Sequence, residues 1–272
     1  MRLVDRGEDA GSAGRPSEDR SGVAGNLAWV IDGASDFRGE RSLPALSNVH
    51  WLVDHVHQAL NRAGSAHDYT ASARLLHDVQ RDMIRELQNF DLAEMRQHPC
   101  CSLAVLLVND DALELARVGD AVGFVAGDSG LLDVTTEFFD EREAAAVASA
   151  RAQALTHEEV TAAMQRRRAE YIHGIAGESV FSGHPAGNLF IHTLAARRSA
   201  PFDTVLLSTD GLARAVSEYH LFDTWHDLLQ ACRRKNISSV IGDVRAYEKT
   251  LTTEASGKFK KSDDIAALLL EI

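Results

Sequence analysis

The sequence lacks several features that mark specialised classes of protein. Three cysteines among 272 residues are too few for a disulfide framework. Adjacent Cys100 and Cys101 open an apolar run and are expected to be small buried thiols, and no second cluster completes the roughly four ligands of a zinc site. No apolar run approaches the roughly 18 residues of a membrane span, and residues 1–20 lack the apolar core of a signal peptide. These absences predict a cytoplasmic protein without membrane contact.

Positive charge is also scarce. Lysine and arginine together number 28, against 40 aspartates and glutamates, so the formal net charge is -12 at pH 7. A nucleic-acid binder usually presents a basic face, and this balance therefore argues against a nucleic-acid partner. An acidic chain is instead compatible with a site that concentrates cations.

Hydrophobic periodicity predicts one layered α+β domain over residues 1–272. Apolar residues at helical spacing predict amphipathic helices over 43–62 and 70–90, and short apolar runs over 102–126 predict an antiparallel meander. No linker divides the pattern. The other predicted elements are a strand at 26–32, helix over 137–170, a loop at 171–188, strands at 189–195 and 203–211, helices near 218–233 and 238–253, and a final strand within 262–272.

Aspartates recur at the ends of predicted strands. In "NLAWVIDGASD" an apolar run ends at Asp32, and in "TVLLSTDG" another ends at Asp210; a glycine follows each. Asp120 lies in a predicted turn between two strands, and Asp263 precedes the apolar run "IAALLL". Each acid alone is an ordinary turn residue. Together they would meet at one edge of an antiparallel sheet.

Carboxylates that converge in this way repel one another and raise one another's pKa. A bound divalent cation relieves the repulsion, and hard oxygen ligands favour Mg²⁺ or Mn²⁺ over Zn²⁺. The glycines after Asp32 and Asp210 allow a backbone carbonyl to approach. Two cations about 3.5–4 Å apart would activate a water and hold a phosphoryl oxygen for displacement.

Six segments, in order along nearly the whole chain, resemble the successive motifs of the metal-dependent Ser/Thr protein phosphatases, the type 2C or PPM family, in its bacterial-type form. They are "GRPSEDR" (14–20), "WVIDGAS" (29–35), "CSLAVLLV" (101–108), "LARVGDAVGFV" (115–125), "VLLSTDGLARAV" (205–216) and "SDDIAALLL" (262–270). The resemblance implies a four-layer αββα sandwich of two antiparallel β-sheets flanked by helices. It also implies a phosphoric monoester hydrolase that acts on phosphorylated proteins through a binuclear Mg²⁺ or Mn²⁺ centre, with the water between the two ions as the nucleophile.

The resemblance also implies a role for individual residues. Asp32 would bridge both ions, the Gly33 carbonyl would contact one of them, and Asp210 and Asp263 would complete the pair of sites. The remaining implied roles are a weaker third ion on Asp120 with Asp210, metal-bound waters held by Glu18 and Asp19, and phosphate binding by Arg15.

The sequence departs from the family pattern at two of these positions. Ala34 replaces the histidine that often donates a proton to the leaving group, so a water would act as the acid. Arg15 lies three residues before Glu18, whereas the phosphate-binding arginine usually lies four before it; Arg6 and Arg20 are alternatives.

The segment 137–190 matches no family motif, and we expect it to form a flap that shapes substrate choice. This segment keeps open the alternative of a phosphatase that acts on a small phosphorylated metabolite. A second alternative is a catalytically inactive pseudophosphatase that acts as a binding module, although the intact Asp32, Asp120, Asp210 and Asp263 weigh against it.

Two basic clusters have ordinary explanations. The triplet 166–168, "RRR", could bind phosphate or an acidic partner, but on a helix rich in alanine and glutamate it is expected to lie on the solvated face. Lys258, Lys260 and Lys261 would either solubilise a loop or steer an anionic substrate towards Asp263.

Overall fold

Two antiparallel β-sheets lie face to face between two layers of helices. The computed structural model describes residues 1–12, 14–35, 41–92, 94–127, 130–197, 202–251 and 260–272. Along the chain its elements are β1 (Arg2–Asp9), β2 (Arg20–Ala24), β3 (Leu27–Gly33), α1 (Asn48–Ala66), α2 (Ser72–Leu87), a 3₁₀ turn (Met95–Gln97), β4 (Cys100–Val108), β5 (Ala112–Val118), β6 (Val122–Gly127), β7 (Gly130–Val134), α3 (Phe138–Ala152), α4 (His157–His173), β8 (Phe181–Ser182), β9 (His192–Arg197), β10 (Phe202–Ser208), α5 (Asp210–Ser217), α6 (Trp225–Lys235), α7 (Ile237–Thr250) and β11 (Ile265–Glu271). The predicted αββα sandwich is thereby confirmed.

Each sheet has its own strand order and its own helical cover. The five-stranded sheet runs β1-β11-β10-β6-β7 and packs against α5, α6 and α7. The six-stranded sheet runs β2-β3-β4-β5-β9, with β8 paired to β4, and packs against α1 and α2. Cys100 and Cys101 of β4 are buried free thiols, as expected. None of the described helices is long and apolar enough to cross a membrane.

Strand β11 shows why the central strands are continuous apolar runs. Ile265 and Leu269 pack towards the helices, whereas Leu268 and Leu270 pack towards the other sheet. Successive side chains of a strand point to opposite faces, and here both faces are covered. A strand buried on both faces therefore needs apolar residues at every position, and truncating one such leucine to alanine costs about 2–5 kcal/mol.

Helix boundaries follow local capping. Helix α1 begins later than the predicted residue 43, because the Ser47 side chain caps it by accepting a hydrogen bond from the His50 amide at 3.1 Å. The helix predicted near 218–233 likewise begins only at α6, after the Thr224 cap, which accepts from the Asp227 amide. Asp210 does not end a strand as predicted. Strand β10 ends at Ser208, and Asp210 is the first residue of α5.

The helix predicted over 137–170 is two helices. Ala154, between α3 and α4, has a left-handed φ of 50° that interrupts the helix. Thr156 and Glu159 then start α4 with a capping box, in which each side chain accepts from the other's backbone amide.

Candidate active site

Strand ends bring the predicted acids to one edge of the sandwich. Asp32 is the next-to-last residue of β3, in the six-stranded sheet, and Asp210 begins α5 directly after β10, in the five-stranded sheet. The Asp210 amide donates to Asp32 Oδ2 at 3.4 Å, so one hydrogen bond joins the two sheets at the site. Asp120 lies in the turn from β5 to β6, which also passes between the sheets.

Glycine at two positions permits this close approach of backbones. A Cβ on Gly33 would lie 2.6 Å from the Glu18 carbonyl oxygen, and one on Gly211 would lie 2.1 Å from the Asp264 carbonyl oxygen. Both distances are well inside van der Waals contact. The glycine after Asp32 and the glycine after Asp210 therefore let neighbouring loops close around the two acids.

Asp32, Asp120, Asp210 and Asp263 all line a single cavity of about 200 Å³. The cavity also has an apolar wall from the segment 137–190, which includes Phe139, Tyr171 and Val180. Several cations line it as well, among them Arg167, Arg168, Arg214 and Lys260. The structure thus brings the four predicted metal-ligating aspartates together, and it adds basic groups beside them.

Asp19 and Asp32 form the electrostatically strained part of the site. Burial, followed by repulsion from neighbouring carboxylates, raises the pKa of both side chains well above the usual range. Asp19 Oδ1 accepts from the Gly33 amide at 3.3 Å. Its other oxygen, Oδ2, is buried and has no hydrogen-bond partner among the described residues. A positive charge at this position would relieve both the repulsion and the unsatisfied oxygen.

Asp263 has the opposite environment. Arg214 Nη2 donates to Asp263 Oδ2 at 2.7 Å, and Lys260 Nζ lies 3.2 Å from Asp263 Oδ1. Burial acts to raise the pKa of Asp263, but Arg214 and Lys260 outweigh it and lower that pKa below its usual value. Arg214 Nη2 also lies 3.4 Å from Asp210 Oδ2, four residues earlier on α5.

The carboxylate oxygens at this site are the ligands that a hard divalent cation prefers, although the side chains are not arranged around a single point. Asp19 Oδ2 is a buried carboxylate oxygen without a partner in the described part of the chain, and the neighbouring donors are carboxylates. Within the described residues, however, no three His, Cys, Asp or Glu side chains are grouped closely enough to hold an ion. One physical reason is Arg214, because Asp210 and Asp263 share its guanidinium nitrogen.

Glu18 and Arg15 lie beside this cavity and do not line it. Glu18 accepts from Ser35 Oγ at 2.7 Å and from Ser47 Oγ at 2.8 Å. These bonds fix its carboxylate between α1 and residues 34–35, which follow β3 and form the Asp32 loop. Arg15 is exposed and lines a larger neighbouring cavity that shares Lys260 and Asp263 with the first. Its phosphate-binding role stays a prediction.

The two alternative arginines have carboxylate partners elsewhere. Arg20 Nε pairs with Asp54 at 2.8 Å, and Arg6 pairs with Glu8. Neither lines the cavity that contains Asp32.

The prediction for the arginine triplet is wrong at two of its three positions. Arg166 is exposed, but Arg167 and Arg168 line the cavity. Arg168 Nη2 donates to the backbone oxygens of Ala34 at 3.0 Å and Ser35 at 2.6 Å, directly after the Asp32–Gly33 pair. The apolar residues of α4 are not concentrated on one side of the helix, so the sequence pattern does not reveal which face is inward.

Lys260 is likewise bonded within the site: its Nζ donates to Ser35 Oγ at 2.6 Å as well as to Asp263. Lys258 lies outside the described residues.

A family model matches this chain, and several solved structures share its fold. The family model for protein phosphatase 2C matches residues 6–244. The solved structure of the serine/threonine phosphatase Stp1 from Staphylococcus aureus is 15% identical, with coverage of 100% of this chain and 96% of that chain and a TM-score of 0.60. The Mycobacterium tuberculosis serine/threonine phosphatase PstP/Ppp is 16% identical, with coverage of 100% and 99% and a TM-score of 0.56.

A third structure is the catalytic domain of the serine threonine protein phosphatase PstP in complex with 2 manganese ions. It is 16% identical, with coverage of 98% of this chain and 96% of that chain and a TM-score of 0.53. No curated protein sequence matches the chain. At these identities the solved structures establish a shared fold, and the family match carries the assignment.

Proposed function

The chain belongs to the protein phosphatase 2C family, and we propose that it is a metal-dependent phosphomonoesterase that removes phosphate from phosphoserine and phosphothreonine in proteins. The observation that carries this proposal is the convergence of Asp32, Asp120, Asp210 and Asp263 on one cavity, although they come from distant parts of the chain. Asp19, whose charge repels that of Asp32, has a buried oxygen that lacks a hydrogen-bond partner in the described structure.

The residues that would hold two Mn²⁺ or Mg²⁺ ions are Asp32, the Gly33 carbonyl, Asp210 and Asp263, with Asp120 available to a third. Divalent cations at such a centre activate water and neutralise the charge of a phosphoryl group. The two manganese ions in the PstP structure support this cofactor choice. Glu18 and Asp19 would act from behind the centre, through water.

Basic residues would bind the substrate's phosphate. Arg167 lines the cavity from α4, and a guanidinium matches the geometry of a phosphate. Arg168 has a positioning role, since it holds the backbone of Ala34 and Ser35 that follows Asp32. Ala34 offers no proton, so the leaving oxygen would be protonated by water in the cavity.

The segment 137–190 would serve as the flap that selects substrates. Phe139, Ile172 and Val180 pack together with Cys100, and Ala34 and Tyr171 adjoin this cluster. The flap is thus anchored beside the Asp32 loop by apolar contacts. Because α3 and α4 wall the cavity and leave only about 200 Å³, a small phosphorylated metabolite is the second candidate substrate.

Hydrolysis assays would test the proposal. The purified protein would be assayed with Mn²⁺, with and without EDTA, on phosphoserine and phosphothreonine peptides and on a panel of sugar, nucleoside and amino-acid phosphates. We expect Mn²⁺-dependent release of phosphate from the peptides. Turnover of a metabolite alone would favour the second candidate, and no turnover of any substrate would indicate a pseudophosphatase.

A further inference from the structure

Arg214 places a permanent positive charge inside the proposed metal centre. Its side chain is only 3% exposed. One terminal nitrogen, Nη2, contacts both Asp263 Oδ2 at 2.7 Å and Asp210 Oδ2 at 3.4 Å. Arginine cannot lose its proton in a protein, so this charge stays within the acid cluster at every accessible pH.

Lys260 adds a second cation on the same carboxylate. Its Nζ lies 3.2 Å from Asp263 Oδ1, so both oxygens of Asp263 contact a basic side chain. Asp32 differs, since no basic side chain in the described part of the chain forms an ion pair with it, and Lys260 attracts it only from a longer distance. Its carboxylate is instead surrounded by those of Asp19, Asp210 and Asp120, which repel it.

We infer that the two proposed cation sites differ strongly in affinity, because Arg214 and Lys260 already supply to Asp263 the positive charge that one of the two ions would bring. The inference rests on the proposed function and specifies how its centre is loaded. The ion held mainly by Asp32 binds first. The ion that needs Asp263 binds weakly, because it must displace the guanidinium and the ammonium group.

Two physical terms weaken the second site. A charge-assisted hydrogen bond between Arg214 and Asp263 must break, and such bonds are among the strongest in proteins. The guanidinium also repels the arriving cation. It cannot easily move away, because Arg214 is buried between α5 and the loop 260–263. We therefore expect the second dissociation constant to exceed the first by at least about tenfold.

Manganese binding would be measured directly, without activity, by electron paramagnetic resonance of free Mn²⁺ during a titration of the metal-free protein. Low-temperature spectra would show exchange coupling between two bound ions. The variants are Arg214→Met and Lys260→Met, and the matched control is Arg234→Met, which removes an exposed arginine of α6. Circular dichroism would confirm that each variant is folded, and the more exposed Lys260 serves if Arg214→Met does not fold.

The expected result for the wild type is one tight Mn²⁺ and a second at least about tenfold weaker, with coupling only at high Mn²⁺. Arg214→Met should tighten the second step about tenfold or more, Lys260→Met should tighten it less, and Arg234→Met should match the wild type. Two equal steps in the wild type would overturn the inference and leave the proposed function intact. An unchanged second step in both site variants would also overturn it. Absence of any bound Mn²⁺ would overturn both.

Discussion

Arg117 and Glu178 form a buried two-pronged ion pair between the six-stranded sheet and the end of the proposed flap. Arg117 Nη1 lies 3.0 Å from Glu178 Oε2, and Nη2 lies 2.9 Å from Oε1. Arg117 also donates to the Gly119 carbonyl, next to Asp120. The pair therefore ties the turn that carries Asp120 to the chain that follows α4.

Removing Glu178 should destabilise the protein strongly. The Arg117 and Glu178 side chains are 3% and 11% exposed, so Glu178→Ala would leave a buried guanidinium without its charged partner. We expect a loss of about 3–5 kcal/mol in the free energy of unfolding, measured with urea. Glu170→Ala, which breaks the more exposed pair with Arg142, is the control and should cost less than about 1 kcal/mol. Equal losses would show that the buried pair is not structural.

Asp32→Asn should abolish hydrolysis without unfolding the protein. The substitution keeps the side-chain shape and removes a charge that its neighbours repel. Turnover should fall by at least roughly 10²–10³-fold, because the central carboxylate of the proposed centre is lost. In EDTA the variant should have a midpoint of thermal unfolding equal to or higher than that of the wild type.

Asp223→Asn, at an exposed position, is the matched control for this variant. Full activity in Asp32→Asn would refute the role given to this carboxylate.

Neighbouring arginines of α4 should differ in their effect on substrate binding. Arg167→Met removes a cation that lines the cavity, whereas Arg166→Met removes an exposed one. We expect KM for a phosphopeptide to rise about tenfold in Arg167→Met, since one charge-assisted contact with phosphate is worth about 1.5–3 kcal/mol. Arg166→Met should match the wild type in the same steady-state assay. An equal KM in both variants would exclude Arg167 from phosphate binding.

His98 should make the protein sensitive to acid. Burial, and then the nearby His184, lowers the pKa of His98 to about 4, while a hydrogen bond to the Leu92 carbonyl acts in the opposite direction. The unfolded chain takes up this proton near pH 6.5 and the folded chain only near pH 4. Stability from this group is therefore complete above about pH 6.5 and declines as the pH falls towards 4.

His98→Gln should remove this part of the acid sensitivity. Between pH 6.5 and 4 the variant should lose about 2 kcal/mol less stability than the wild type, in urea unfolding at a series of pH values. His226→Gln, at an exposed position on α6, is the control and should follow the wild-type profile. If His98→Gln lost as much stability as the wild type between pH 6.5 and 4, His98 would not be a cause of the acid sensitivity.

Local patterns in the sequence were sufficient to predict a layered α+β domain and the position of most of the acids along it, whereas the αββα sandwich was implied by the family resemblance. Alternation and apolar runs predicted most of the strands, and Asp32, Asp120 and Asp263 lie at the strand end, turn and loop expected of them. These features depend on neighbouring residues, because strand periodicity and turn chemistry are properties of short segments. The single domain over 1–272 and the separate roles of Glu18, Asp19 and Arg15 stay predictions.

Only the tertiary structure decided which charges accompany those acids. Arg214 and Lys260 are 46 residues apart in sequence, yet both contact Asp263, and Arg168 reaches the backbone at Ala34 from 134 residues away. Such contacts depend on how helices α4 and α5 pack over the edges of the two sheets. The periodicity of side chains predicts which residues can be buried. Which group pairs with a buried charge depends instead on the helix or strand that packs against it. The sequence therefore determined where the carboxylates would gather, and the packing determined that basic groups would gather with them.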